Sequence, residues 1–101
     1  TDNTADEVAA ANTLKAHLRF AQMQAMNSDT LWSVQASGGS YNLFDANGAS
    51  SFPGEDGAID FPTGTTATFT VSFDGWGRPT VTGSFPTGYG ISIEDETGFI
   101  P

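Results

Sequence analysis

The chain has 101 residues, enough for one domain with a single modest core. Its 8 phenylalanines and 2 tryptophans argue against disorder, and no apolar run approaches the roughly 20 residues that span a bilayer. The only basic residues, Lys15, Arg19 and Arg78, face 12 acidic ones for a net charge of −9, too few cations to neutralise nucleic-acid phosphates or to hold an anionic membrane surface, and the absence of cysteine excludes disulfides and thiolate chemistry.

Residues 4–27 carry a helical pattern. Val8, Ala11, Leu14, Leu18, Ala21 and Ala25 recur at spacings of 3, 3, 4, 3 and 4, one apolar stripe expected to pack on a sheet. Phe20, Met23 and Met26 flank it. The segment lacks Gly and Pro and is rich in Ala, Leu, Gln and Met, all good helix formers. Thr4 and Glu7 fit a T-x-x-E capping box. At 1.5 Å per residue such a helix is about 36 Å long, so part of it is expected to project or to pack on something else.

Asn27, Ser28 and Asp29 compete for backbone hydrogen bonds and end the helix. The period then changes to two. Leu31–Ala36 and Ser40–Phe44 read as a hairpin around Ser37-Gly38-Gly39. A polar loop runs from Asp45 towards Pro53, Gly54–Gly57 is a turn, and Ala58–Phe61 reads as a short strand. In "TATFTVSF", Thr66–Phe73, Ala67, Phe69, Val71 and Phe73 fall on one face and hydroxyl side chains on the other, the mark of a half-buried strand. "DGWGRP", Asp74–Pro79, is a turn, followed by a strand at Thr80–Phe85 and a turn at "PTGYG". Ile91–Glu94 and Gly98–Ile100 read as short closing strands. The expected fold is α+β in two layers: a long N-terminal helix packed on an antiparallel β-region at 31–101, all one soluble domain over residues 1–101.

Few constellations could carry chemistry. His17 is the only histidine, has no acid one turn away on the helix, and is expected to be partly exposed; no G-x-S-x-G elbow occurs. The carboxylates cluster in turns, at Asp45, Glu55-Asp56, Asp74 and Glu94-Asp95-Glu96, and read as solvated turn residues rather than as an acid–base pair. "DANG" starts like a calcium loop, but D-x-[DN]-x-[DN]-G is not completed, and zinc has no plausible ligand set. No catalytic, cofactor or metal residue is therefore assigned. Trp32, Trp76 and Tyr41 could form a sugar-stacking platform, with Trp32 and Trp76 as candidate ligand-facing aromatics. Arg78 is expected to pair with Asp74 or a nearby carboxylate and pin the turn.

Three stretches resemble one family. "LKAHLRFAQMQAMNSDTLWSV", Leu14–Val34, is similar to the end of the long helix and first strand of the type IV pilin-like proteins of the GspH/FimT group, whose helix carries an L-R-x-A-x-x-x-A pattern. "VSFDGWGRP", Val71–Pro79, resembles the group's F-D-x-x-G-R-P turn, here Phe73, Asp74, Gly77, Arg78 and Pro79. "ISIEDETGFIP", Ile91–Pro101, resembles its closing I-x-I-x-x-x-T-G-x-(I/V) segment. "LRFAQMQAMN" with "TGFIP" looks closest to the minor pilins of the mannose-sensitive haemagglutinin (MSHA) pilus.

The resemblance implies a non-enzymatic minor pilin or pseudopilin, acting in the assembly or initiation of an MSHA-type type IV pilus or a type II secretion pseudopilus. Its implied partners are other pilin or pseudopilin subunits, with no cofactor. It also implies an apolar segment of about 25 residues ahead of Thr1 that anchors the subunit in the inner membrane before assembly. FimT-like proteins of DNA uptake carry a basic patch, and three cations argue against that role. The alternative from a different class is a small extracellular carbohydrate-binding β-module.

Overall fold

A computed structural model of the chain describes residues 4–86 and 88–100, with side chains from Glu7 onward. Helix α1, Thr4–Ser28, runs 25 residues without interruption. Its far end is closed by backbone geometry: Asp29 adopts φ 54°, and the Thr30 amide reaches back to the Ala25 carbonyl at 3.3 Å, a Schellman-type closure. Ser28 Oγ caps the last turn by donating to the Gln24 carbonyl at 2.6 Å. The T-x-x-E box begins at Thr4, whose side chain lies outside the described residues.

Among the described residues six antiparallel strands follow: β1 Trp32–Gly38, β2 Ser40–Asp45, β3 Gly48–Ser50, β4 Ile59–Asp60, β5 Ala67–Phe73 and β6 Pro79–Ser84. The order across the sheet is β3-β2-β1-β5-β6, and β4 joins β2 beside β3. β1 is central. Val34 stands opposite Leu43 on one side and Val71 on the other; Ala36 likewise stands between Tyr41 and Phe69. These rows form the floor on which α1 lies. The sheet edges are poor templates for strand addition, since β3 has three residues, β4 has two, and β6 opens with Pro79.

Three elements differ from the sequence expectation. The polar loop after Asp45 contains β3. Asp45 Oδ1 accepts from the Asn47 amide at 2.8 Å, closing a two-residue turn that returns Gly48 opposite Asp45. Gly48, Ala49 and Ser50 carry no large side chain, so residue type gave no strand signal. Conversely, Ile91–Glu94 and Gly98–Ile100 are not strands. They exchange a single bond, Glu94 amide to Phe99 carbonyl at 3.0 Å, across a turn closed by the Gly98 amide on Glu94 at 2.9 Å.

The core lies between helix and sheet. Ala11, Leu14, Leu18, Ala21 and Ala25 are buried against Val34, Leu43, Phe69, Val71 and Phe73. Each of the larger side chains contributes about 1.5–3 kcal/mol by leaving water. Phe52, Phe61, Tyr89 and Ile100, all outside regular strands, close the margins of this layer.

Val8 is a correction: it is 54% exposed and lies outside the core. At 3.6 residues per turn, the 17 positions from Val8 to Ala25 leave the two side chains about 100° apart around the helix. The two opening steps of three carry the stripe sideways, off the buried face.

Candidate functional site

The three family-like stretches meet at the C-terminal half of α1. Gln22 Nε2 donates to the carbonyls of Gly77 and Thr97, each at 3.0 Å. Arg19 Nη2 donates to the Ile100 carbonyl at 2.7 Å. One face of the helix thus holds both the turn after β5 and the closing segment.

The turn is built around one carboxylate. Asp74 Oδ1 accepts from the amides of Trp76 and Arg78, each at 2.9 Å, while the Gly77 amide donates to the Asp74 carbonyl at 2.8 Å. These bonds, the Arg78 amide foremost and then those of Trp76 and Gly77, together with the Arg78 charge, hold the Asp74 carboxyl below its ordinary value despite some desolvation. The expected pairing of Arg78 with Asp74 therefore takes another form. The backbone of Arg78 engages the carboxylate, and its guanidinium lies over the Trp76 ring, 4.9 Å from the centroid.

Two glycines make the convergence sterically feasible. At Gly77, φ is 83° and an added Cβ would lie 2.8 Å from Met26 Sδ. At Gly98, φ is 71° and a Cβ would run into Gln22 Nε2 and the Gly77 carbonyl. A side chain at either position would push the loops off the helix.

The sequence-selected residues are distributed as follows. Ala11, Leu14, Leu18, Ala21 and Ala25 lie buried under the helix, and Val8 does not. Phe73 is fully buried at the end of β5, while Asp74 and Arg78 are exposed in the turn and Gly77 is buried beneath it. Trp32 is half-buried against the core and donates from Nε1 to Ser28 Oγ at 2.9 Å. Trp76 is 75% exposed, whereas Tyr41 is 2% exposed and cannot serve a sugar-stacking platform. In the "EDET" stretch Glu94 accepts from the Thr97 hydroxyl at 3.4 Å. Among the described residues no group of three or more His, Cys, Asp or Glu side chains is placed to hold a metal ion.

One cluster was not anticipated. His17 is only partly exposed, as expected, but its ring stacks on Phe52 at 4.0 Å with 20° between planes, and Nδ1 lies 2.7 Å from the Tyr41 hydroxyl. Phe61 continues the cluster, 5.3 Å from Tyr41. Burial lowers the His17 pKa and outweighs the nearby Glu55 carboxylate, which raises it. The neutral ring shares this hydrogen bond with the Tyr41 hydroxyl, the tautomer setting which atom donates. Burial likewise raises Tyr41, with Tyr89 and Glu55 adding to the shift. The one sequence signal was Phe52 itself, a large apolar ring in a polar loop that needed cover.

Beside this cluster an open cleft of about 720 Å³ separates the front of α1 from the segment 59–65, with Glu7, Thr13, Asp60 and Thr65 on its walls. No described helix is long and apolar enough to cross a membrane.

A long helix laid on an antiparallel sheet, with the following turn and the closing segment tied to its far end, makes this a pilin-like α+β protein. The sequence model of the type II transport protein GspH matches residues 10–92, which include most of the helix, all six strands and the turn at 74–79, and the chain belongs to the GspH family. That family groups structural, non-enzymatic pseudopilins and minor pilins, which work with other subunits of the same kind in a pseudopilus or pilus. No curated protein and no solved structure matches the chain significantly.

Proposed function

We propose that this chain is the soluble domain, residues 1–101, of a minor subunit that helps to start or cap an extracytoplasmic filament, an MSHA-type pilus in preference to a type II secretion pseudopilus. The GspH match over residues 10–92 supports the coarser part of the reading, a pseudopilin or minor pilin. The tie of the family-like turn and closing segment to Gln22 supports it, because it gathers the three family-like stretches at one end of α1. An apolar segment ahead of Thr1 would anchor the subunit in the inner membrane before assembly and pack in the filament core afterwards. The work is done by docking, through α1 and the loops at its end, with no cofactor. Choice of the MSHA-type pilus rests on the phrases "LRFAQMQAMN" and "TGFIP".

The test is genetic. Deleting the full-length protein should abolish surface pili seen by electron microscopy, and restoring it with its native front segment should bring them back. Intact pili with lost secretion of a substrate would transfer the protein to a secretion pseudopilus. No effect on either would overturn the subunit reading.

A further inference from the structure

Asn47-Gly48, at the tip of the β2–β3 hairpin, serves neither the core nor the junction at Gln22. An asparagine followed by glycine carries its own chemistry. Its side-chain amide carbon is an electrophile, and the backbone nitrogen of the next residue is a nucleophile within reach of it. Elsewhere in a chain the following side chain screens that nitrogen, and regular structure holds it in a hydrogen bond.

The hairpin tip lifts both restraints. Asn47 is exposed; its backbone amide bonds Asp45 Oδ1 at 2.8 Å, and among the described residues its side-chain amide has no partner. Beyond the chain neighbours, nothing lies within 4 Å of the point where a Cβ would stand on Gly48, so its nitrogen is open to approach. β3 has three residues at the sheet margin, and so short an edge strand opens locally at low cost.

The other candidate pairs are disabled. At Asp74-Gly75 a Cβ would run into Asp29, and Asp74 Oδ1 is held by the amides of Trp76 and Arg78. Asp56-Gly57 is less tightly packed, but a carboxylate is a poorer electrophile than an amide. Asn12 and Asn27 lie within α1 and Asn42 within β2, each followed by a residue with a side chain.

We propose that Asn47 is a self-modifying position, converted with time to aspartate and isoaspartate. The Gly48 nitrogen gives up its proton and attacks Asn47 Cγ. A new carbon–nitrogen bond forms, the side-chain carbon–nitrogen bond breaks, and the leaving nitrogen takes up the proton and departs as ammonia. Water opens the five-membered succinimide. Opening at Cγ restores the backbone and gives aspartate. Opening at the backbone carbonyl leaves the chain running through Cγ, as isoaspartate, one methylene longer. One water is consumed and one ammonia released.

Either product adds a negative charge, two residues from Asp45, to a chain already at −9. Isoaspartate also lengthens a turn in which only Ala46 and Asn47 separate Asp45 from its partner Gly48. The turn then closes out of register and β3 comes away. This uncovers the Leu43–Asp45 edge of β2, because β4 pairs with Ser40 and Tyr41 and not with that stretch. The modification needs no partner and stands apart from the subunit reading.

The test incubates the protein at mildly alkaline pH, which favours loss of the Gly48 proton, and follows it by peptide mass spectrometry. The expected result is an amide-to-acid mass gain confined to the peptide holding Asn47, with isoaspartate among the products by isoaspartyl methyltransferase labelling. Asn47→Ser should abolish both. In the isoaspartyl form, cross-strand NMR contacts between Leu43 and Ser50 and between Phe44 and Ala49 should be lost. Freshly prepared Asn47→Asp, which adds the charge without the methylene, should keep them. An Asn47 still intact when the urea-unfolded protein has converted overturns the proposal, since the hairpin then protects it. Earlier conversion of Asn12, Asn27 or Asn42, or earlier isoaspartate at Asp56, overturns it as well. Cross-strand contacts retained in the isoaspartyl form would overturn the release of β3.

Discussion

Gln22 Nε2 lies 3.0 Å from the carbonyl oxygen of Gly77, 55 residues further along the chain, and the same amide group reaches Thr97 at 3.0 Å. One helical side chain thereby replaces a strand ladder as the tie for the closing segment. Gln22→Ala should cost about 1–3 kcal/mol, the worth of two net hydrogen bonds. Urea unfolding reads the loss, and amide exchange should quicken first at Gly98 and Phe99. Equal quickening throughout β5 would show that the tie is not local.

Gly77 combines a left-handed backbone with contact to Met26. Gly77→Ala should destabilise by about 1–2 kcal/mol from backbone strain alone, with the methyl clash adding to it. In a Met26→Ala background the clash is gone and only the strain is left. A double-mutant cycle with no coupling between positions 26 and 77 would contradict the contact.

The helix stripe makes a paired prediction. Leu18 is fully buried, so Leu18→Ala should cost about 2–5 kcal/mol. Val8→Ala should stay within about 0.5 kcal/mol, because that side chain is 54% exposed. A Val8 cost comparable to that of Leu18 would restore Val8 to the core.

His17 sets a pH dependence. Its folded pKa lies below the ordinary 6.5, so the fold favours the neutral ring. Above 6.5 both folded and unfolded states are neutral and the contribution to stability is complete. As pH falls below 6.5 the unfolded chain takes up the proton first, and stability declines until the folded pKa is passed. His17→Phe, which keeps a ring against Phe52, should remove this decline below pH 6.5. A histidine proton resonance titrating at or above 6.5 in the folded protein would contradict it. Asp74 acts lower, below its ordinary 3.8, and also loses stability as pH falls. The two contributions separate by pH range.

Local pattern carried most of the architecture. Helix propensity and a stripe of 3 and 4 spacings placed α1 to within a residue at its end, and strict alternation marked β5, because both signals are repeated along consecutive residues. The GspH likeness was also legible in the sequence, since three short motifs kept their order. What only tertiary structure decided depends on residues far apart in the chain. β3 exists because β2 offers an open edge, not because Gly48-Ala49-Ser50 favours a strand. The closing segment does not become a strand, because Gln22 and Arg19 hold its carbonyls. Arg78 lies over Trp76 while its backbone amide bonds Asp74 Oδ1. His17 meets Phe52 and Tyr41 only once helix and sheet are docked. Periodicity reports which face of an element is buried, and it is silent about which distant side chain that face will meet, because such contacts arise from packing.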